Sequence, residues 1–140
     1  MEARFTVNGA PQGKARPRFA RAGDKVVTYT PTETSAYEEF VRWSYWKENK
    51  GERLSGALEA SIVGFFPIPK SETKKRKALM EEGKIFYTKK IDCDNLAKII
   101  LDALNGVAYD DDKQICRLQV DKRYGTEPRV EVVLRELEIV

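Results

Sequence analysis

Hydrophobic and polar positions alternate at the start of the chain, with Phe5 and Val7 set between Arg4, Thr6 and Asn8. A period of two marks a strand, and Asn8-Gly9 ends it in a turn. The pattern then lapses. Residues 10–29 carry Pro11, Gly13, Pro17 and Gly23 and are expected to be loop-like, with a strand at most over Lys25 to Tyr29. The period changes at Thr30-Pro31-Thr32-Glu33, where Thr30 suits the N-cap, Pro31 the first helical position and Glu33 the third residue of a capping box. Tyr37, Phe40, Val41 and Ser44 follow at helical spacing and predict a helix from about Pro31 to Lys47. Trp43 and Trp46 widen its apolar face, either for packing in the core or a dimer or for stacking on bases.

Leu58, Ala60, Ile62, Gly64 and Phe66 fall on one face of a second strand, Val63 and Phe65 on the other, and Pro67 and Pro69 close it. Ser71 can cap a short helix running to Glu82, with Gly83 beyond it. Leu96, Ile99, Ile100, Ala103 and Leu104 form the clearest amphipathic helix, expected to start at Asp94 or Asn95 and stop at Asn105-Gly106. Two further alternations, Cys116-Leu118-Val120 and Val130-Val132-Leu134, predict strands joined by a hairpin turn at Gly125-Thr126-Glu127-Pro128. The order β–loop–α–β–α–α–β–β describes one α+β domain over residues 1–140, a small mixed sheet packed with helices.

Composition narrows the chemistry. The chain has 140 residues, 25 Lys+Arg against 22 Asp+Glu, a formal net charge of +3, and no histidine. That excludes Ser-His-Asp and Cys-His triads and every metal site that needs imidazole. Cys93 and Cys116 are too few for a four-thiolate zinc site or a disulfide framework, which suits a reducing cytoplasm. No apolar run approaches the ~18 residues of a membrane span, and Met1-Glu2-Ala3-Arg4 does not open a signal peptide. General acid–base or metal chemistry must therefore rest on carboxylates, lysine, tyrosine and water.

The distribution of charge says more than its sum. Residues 10–29 carry Lys14, Arg16, Arg18, Arg21 and Lys25 against Asp24 alone. Residues 70–90 carry eight basic side chains, among them Lys74, Lys75, Arg76, Lys89 and Lys90, against three acidic ones. The segment 92–112 has six aspartates and one lysine. Asp92-x-Asp94 has a local explanation in helix capping, worth about 0.5–2 kcal/mol, but one Asp satisfies that need. Asp110-Asp111-Asp112 alone is a solvated acidic loop. If Gly106 turns the chain back along the helix, the two clusters can converge, and carboxylates held close call for a divalent cation. Oxygen-only donors suit Mg²⁺, or Mn²⁺ in its place, and not Zn²⁺. Lys98 lies one turn beyond Asp94, either as its ion-pair partner and that of Asp102, or as a cation aimed at the metal. Asp102 can pair with Lys98 or hydrogen-bond the loop after Gly106. Asn95 can support the ligands, and Gln114 can orient one or cap the next strand. An anionic metal site between basic segments is what phosphodiester hydrolysis requires.

The stretches Asp92-Cys93-Asp94-Asn95-Leu96-Ala97-Lys98, Leu101-Asp102-Ala103-Leu104-Asn105-Gly106 and Asp110-Asp111-Asp112-Lys113-Gln114-Ile115 closely resemble the RusA family of Holliday junction resolvases. The family pattern is D-x-D-N-L-x-K, L-D-A-L-N-G and D-D-x-Q-I, followed by a two-strand unit. Gly13-Lys14-Ala15-Arg16-Pro17-Arg18-Phe19 is similar to the basic loop of many members. One departure is Ile91, where many relatives have proline. The resemblance implies a RusA-like fold, catalytic and metal-binding aspartates at Asp92, Asp94 and Asp112, and a catalytic lysine at Lys98. It also implies a homodimer that binds four-way junction DNA and nicks it symmetrically with Mg²⁺. DNA contacts are expected from Lys14, Arg16, Arg18, Lys74, Lys75, Arg76, Lys89 and Lys90. Two other readings stand beside this one: a nuclease of flaps, forks or other branched DNA, and a DNA-binding module without activity.

Overall fold

The computed structural model describes residues 1–29 and 31–138. Strand β1 (Glu2–Asn8) is followed by β2 (Arg18–Ala22), β3 (Lys25–Tyr29), helix α1 (Thr32–Asn49), β4 (Leu58–Pro67), α2 (Lys74–Glu81) and α3 (Cys93–Ala103). A short 3-10 helix (Asp112–Gln114), β5 (Ile115–Gly125) and β6 (Arg129–Glu136) complete the order. This is the expected α+β fold with a mixed sheet. Among the described residues no helix is long and apolar enough to cross a membrane.

Four strands form the main sheet in the order β1-β6-β4-β5, with β4 parallel to β5 and antiparallel to β6. The expected β5–β6 hairpin therefore does not form. Thr126 to Pro128 carry the chain across the end of β4, which sits between the two. The reason is burial: Leu58, Ala60, Ile62 and Phe66 of β4 are almost wholly withdrawn from water, so this most apolar strand takes an interior position. Its alternation is met by Ala3, Phe5 and Val7 of β1 and by Val130, Val132 and Leu134 of β6 on the same face. Helices α1 and α3 cover that face. The other face is uncovered and polar, laced by Arg135–Glu2, Arg135–Glu59, Arg117–Glu59 and Arg129–Glu131 pairs.

Gly64 lies where α3 crosses β4. A Cβ there would stand 2.8 Å from Leu96 Cδ2, so any larger residue would force Leu96 or the helix to shift. The Asn105-Gly106 stop holds as expected. Burial pushes the hydroxyl of Tyr109 up in pKa, and that hydroxyl donates to the last-turn carbonyl of Leu101 at 2.6 Å.

Several boundaries differ from expectation. The strand allowed at Lys25–Tyr29 forms, but Arg18–Ala22 is a second strand rather than loop. The two pair as an antiparallel hairpin, exposed at every position and separate from the main sheet. Helix α2 starts later than Ser71, because Thr73 is the residue whose side chain caps it, accepting from Arg76 N. Thr30 lies outside the described residues, and Pro31 occupies the N-cap of α1 rather than its first turn. The helix buries Thr34, Tyr37, Val41, Ser44 and Tyr45. Trp43 and Trp46 fall outside that stripe and are 53% and 59% exposed, so they are not core residues of this chain. Trp43 stacks on Phe40 and lies beneath Lys47.

Tyr109 and Tyr37 predict opposite outcomes for the same substitution. Tyr109→Phe strips a buried carbonyl of its partner and should lower stability by about 1–2 kcal/mol in urea unfolding. The buried Tyr37 hydroxyl finds no partner among the described residues, so Tyr37→Phe should be neutral or stabilising in the same measurement.

Candidate active site on the outer face of helix α3

The setting of α3 follows from its sequence. Leu96, Ala97, Ile99, Ile100, Leu101 and Ala103 are buried, which leaves Asp94, Asn95, Lys98 and Asp102 on the outer side. Asp94, Lys98 and Asp102 are spaced i, i+4, i+8 and so stand in one row along the helix. The helix begins at Cys93, earlier than expected, because Asp92 is its N-cap and accepts from Asn95 N at 3.3 Å. Asp94 sits in the first turn, where a negative charge complements the helix dipole.

Beyond Gly106 the chain turns back, and the loop after it is tightly organised. Asp112 N donates to Asn105 Oδ1 at 2.7 Å. Gln114 Oε1 accepts from Asp110 N and Asp111 N, both at 3.0 Å, while its amide donates to Gly56 O. Asp111 caps the 3-10 helix by accepting from Lys113 N. Asp110 pairs with Arg53 at 2.9 Å, and Arg53 also reaches Gly106 O. Gln114 thus shapes the loop backbone. Asp110 and Asp111 have structural partners, and Asp112 is left facing Asp102.

Burial, then the carboxyls of Asp102 and Asp111 within hydrogen-bonding reach, raise the Asp112 carboxyl above the ordinary aspartate range. Asp111 moves the other way, lowered chiefly by the Lys113 backbone N–H. Asp112 therefore meets the C-terminal end of the α3 row, whereas Asp92 and Asp94 mark its N-terminal end. About 12 Å of helix axis separates Asp94 from Asp102. Among the described residues no three acidic or cysteine side chains stand together as a metal cage. The donor chemistry is nevertheless that of a hard divalent cation, all carboxylate, and the crowding at Asp112 is of the kind a cation relieves.

A cleft of about 510 Å³ runs along this face, lined by Lys14, Ala15, Arg16, Pro17, Asn95, Lys98 and Asp102. Among the described residues Lys98 forms no ion pair. Asp102 pairs instead with Lys14, whose Nζ lies 3.4 Å from Asp102 Oδ2 and 2.7 Å from Glu38 Oε2. Burial works against the Lys14 ammonium, but the hydrogen bond and charge of Glu38 and the charge of Asp102 outweigh it and raise its pKa. Arg16 and Arg18 are exposed beyond it, as are Lys74, Lys75 and Arg76 at the start of α2, where Arg76 pairs with Glu72. Lys89 and Lys90 are exposed, and the carbonyls of Lys89 and Ile91 both accept from Lys122 Nζ at 2.8 Å.

Glu38, Arg53 and Lys122 escape sequence reasoning, since each acts on a segment far away in the chain. The only sequence signal was for Glu38, one residue from the buried Tyr37 on the side that α1 turns towards α3.

The family model for endodeoxyribonuclease RusA matches residues 8–135. The chain belongs to the RusA endodeoxyribonuclease family. It is also 35% identical over 136 residues to the uncharacterized protein YqaN of Bacillus subtilis (strain 168), covering 96% of each chain. RusA membership carries endodeoxyribonuclease activity and junction DNA as the family's substrate. The α3 row and the loop that meets it lie within the matched residues.

Asp112 predicts an inverse relation between stability and metal response. A raised carboxyl pKa means that the fold loses stability as pH rises through ionisation, a loss complete at neutral pH and absent once the unfolded chain is also protonated. Asp112→Asn should therefore raise Tm by about 1–3 °C at pH 7 in EDTA, with the difference vanishing near pH 3. Added Mg²⁺ should raise the wild-type Tm more than that of the variant, as thermal melts would record.

Proposed function

We propose that the chain is a Mg²⁺-dependent, structure-selective endodeoxyribonuclease that resolves Holliday junctions by paired symmetric nicks in DNA recombination and repair. The observation that carries this reading is the α3 row Asp94-Lys98-Asp102, met at its end by Asp112 and overhung by the basic segment of Arg16 and Arg18. Asp92 and Asp94 at the N-terminal end of the row and Asp112 at its C-terminal end are the proposed ligands, a spacing at which more than one ion would be needed to engage them all. A bound Mg²⁺ would supply a Lewis acid for the scissile phosphate and lower the pKa of its attacking water. Asp92 would serve twice, since one carboxylate oxygen caps α3 and the other is available.

Lys98 has the position a catalytic cation needs. It stands between the acidic ends of the row, lines the cleft, and is exposed without an ion pair among the described residues. From there its ammonium would stabilise negative charge developing on the phosphate. Arg16, Arg18, Lys74, Lys75, Arg76, Lys89 and Lys90 would hold flanking phosphates by charge, which sets affinity without reading sequence. The hairpin β2–β3 supports a DNA partner as well, since Arg18, Arg21 and Lys25 share it with the exposed Phe19. Two equivalent nicks in a two-fold substrate call for a two-fold enzyme, hence a homodimer. Cys93 and Cys116 are free and exposed, which suits a reducing cytoplasm.

Cleavage of a fixed four-way junction, a flap and a linear duplex in Mg²⁺ tests the reading directly. The junction should be cut by paired nicks and the duplex left intact; preferential cutting of the flap would move the substrate to other branched DNA. Lys98→Met keeps the aliphatic stem and should retain Tm and junction affinity while single-turnover cleavage falls at least about a hundredfold. Asp94→Asn should keep the fold and junction binding but lose cleavage. Wild-type rates in both variants would end the nuclease assignment of this face.

A further inference from the structure

We infer that Lys14, although it belongs to the basic N-terminal segment, does not contact DNA: with Glu38 it forms a strut that holds residues 9–17 across the α3 face, and both act as positioning residues for the nuclease. This rests on the function proposed above. The pair is built into the fold. Lys14 Nζ lies 2.7 Å from Glu38 Oε2 and 3.4 Å from Asp102 Oδ2, with the two side chains of the closer pair only 18% and 12% exposed. A phosphate could take this ammonium only by leaving two carboxylates close together and without their cation.

The backbone on either side is fixed to match. Lys14 N donates to Asn95 O at 3.4 Å, on the same turn of α3 that bears Asp94. Gly13 lies so close to the chain before α3 that a Cβ would stand 2.6 Å from Ile91 Cγ2. Pro11 is buried near Gly64. From Arg16 onward the segment is exposed, through the whole of β2 and β3. Lys14 is therefore the last anchored side chain before Arg16 and the hairpin, and its attachment to α1 and α3 sets where Arg16 stands relative to Lys98 across the cleft. Removal of an acidic side chain near a DNA site ordinarily strengthens binding by reducing repulsion. A strut predicts a loss instead for Glu38, in cleavage rather than in affinity, because neutralising it releases the segment that aligns the substrate.

The full-length protein with a fixed four-way junction in Mg²⁺ provides the test, using Glu38→Gln, Lys14→Met and the double variant. Each single variant should lower single-turnover cleavage at saturating enzyme about tenfold, with junction Kd within about threefold of wild type, and the double should be no slower than the slower single. The salt dependence of binding by Lys14→Met should keep the wild-type slope, whereas a lost phosphate contact would flatten it by about 0.9. Limited trypsin digestion followed by mass spectrometry supplies a readout independent of activity. Cutting at Lys14–Ala15 should be at least about fivefold faster in Glu38→Gln than in wild type, since trypsin must take the Lys14 side chain itself. A flattened slope in Lys14→Met, wild-type cleavage by Glu38→Gln, or equal trypsin rates would each overturn the strut. If Lys14→Met does not fold, Glu38→Gln carries the comparison alone. A wild-type protein that cuts no branched DNA yet protects Lys14–Ala15 would leave the strut standing and remove the proposed function.

Discussion

The seat of α3 on β4 governs the rest of the molecule. Leu96, Ile99, Ile100 and Leu104 are fully withdrawn from water, and burying a large aliphatic side chain stabilises by about 1.5–3 kcal/mol. Four such residues fix the rotation of the helix more firmly than any surface charge could alter it. Gly64 brings the helix down onto the strand, so Leu96 fills the space that a side chain there would occupy. Once the apolar stripe is committed, Asp94, Lys98 and Asp102 have no orientation left but outward. The chemistry of the face is a by-product of how the core closes.

The same constraint sorts the aspartates. Six of them crowd into 92–112, and a solvated acidic run would use none in particular. Here Asp92 caps the start of the helix, Asp110 pairs with Arg53, and Asp111 shapes the 3-10 turn. The last two contacts brace the loop after Gly106, which is how a loop holds a side chain in place. Asp112 is the one whose surroundings oppose its charge. Its neighbours are held by their own partners, so the crowding at Asp112 is built into the turn.

Local periodicity made the helices and strands legible, and pairing did not follow from it. Leu96 to Leu104 announces α3 through spacing alone, and the Asn105-Gly106 stop follows from backbone preference. The neighbour of β6 is a different matter. Gly125 to Pro128 has the composition of a hairpin turn, yet β4 separates β5 from β6, because sheet order is decided by which strand buries most. The tryptophans of α1 show a related limit: hydrophobic identity does not tell which side of a helix meets the sheet. Trp43 and Trp46 lie off the stripe set by Tyr37, Val41 and Tyr45, which excludes the core of this chain but not a dimer or base stacking. At the site, the residue types and their motif were visible at once. What sequence could not supply was the meeting of Asp112 with Asp102 rather than with the N-terminal end of α3, since that depends on how the loop after Gly106 packs.

Charge counts carry a similar lesson about DNA. A basic segment looks like a uniform surface in one dimension, but its lysines divide by destination. Lys14 turns inward to Glu38 and Asp102, and Lys122 spends its donors on the carbonyls of Lys89 and Ile91. Both hold chain segments that meet near the start of α3, where Gly13 lies against Ile91. Arg16, Arg18, Lys74, Lys75, Lys89 and Lys90 remain exposed. Lysine suits the inward task, with a compact ammonium on a long stem that reaches between segments, whereas the planar guanidinium of arginine matches phosphate oxygens two at a time. The inward lysines fix chain segments, and the outward arginines and lysines leave their charge at the surface.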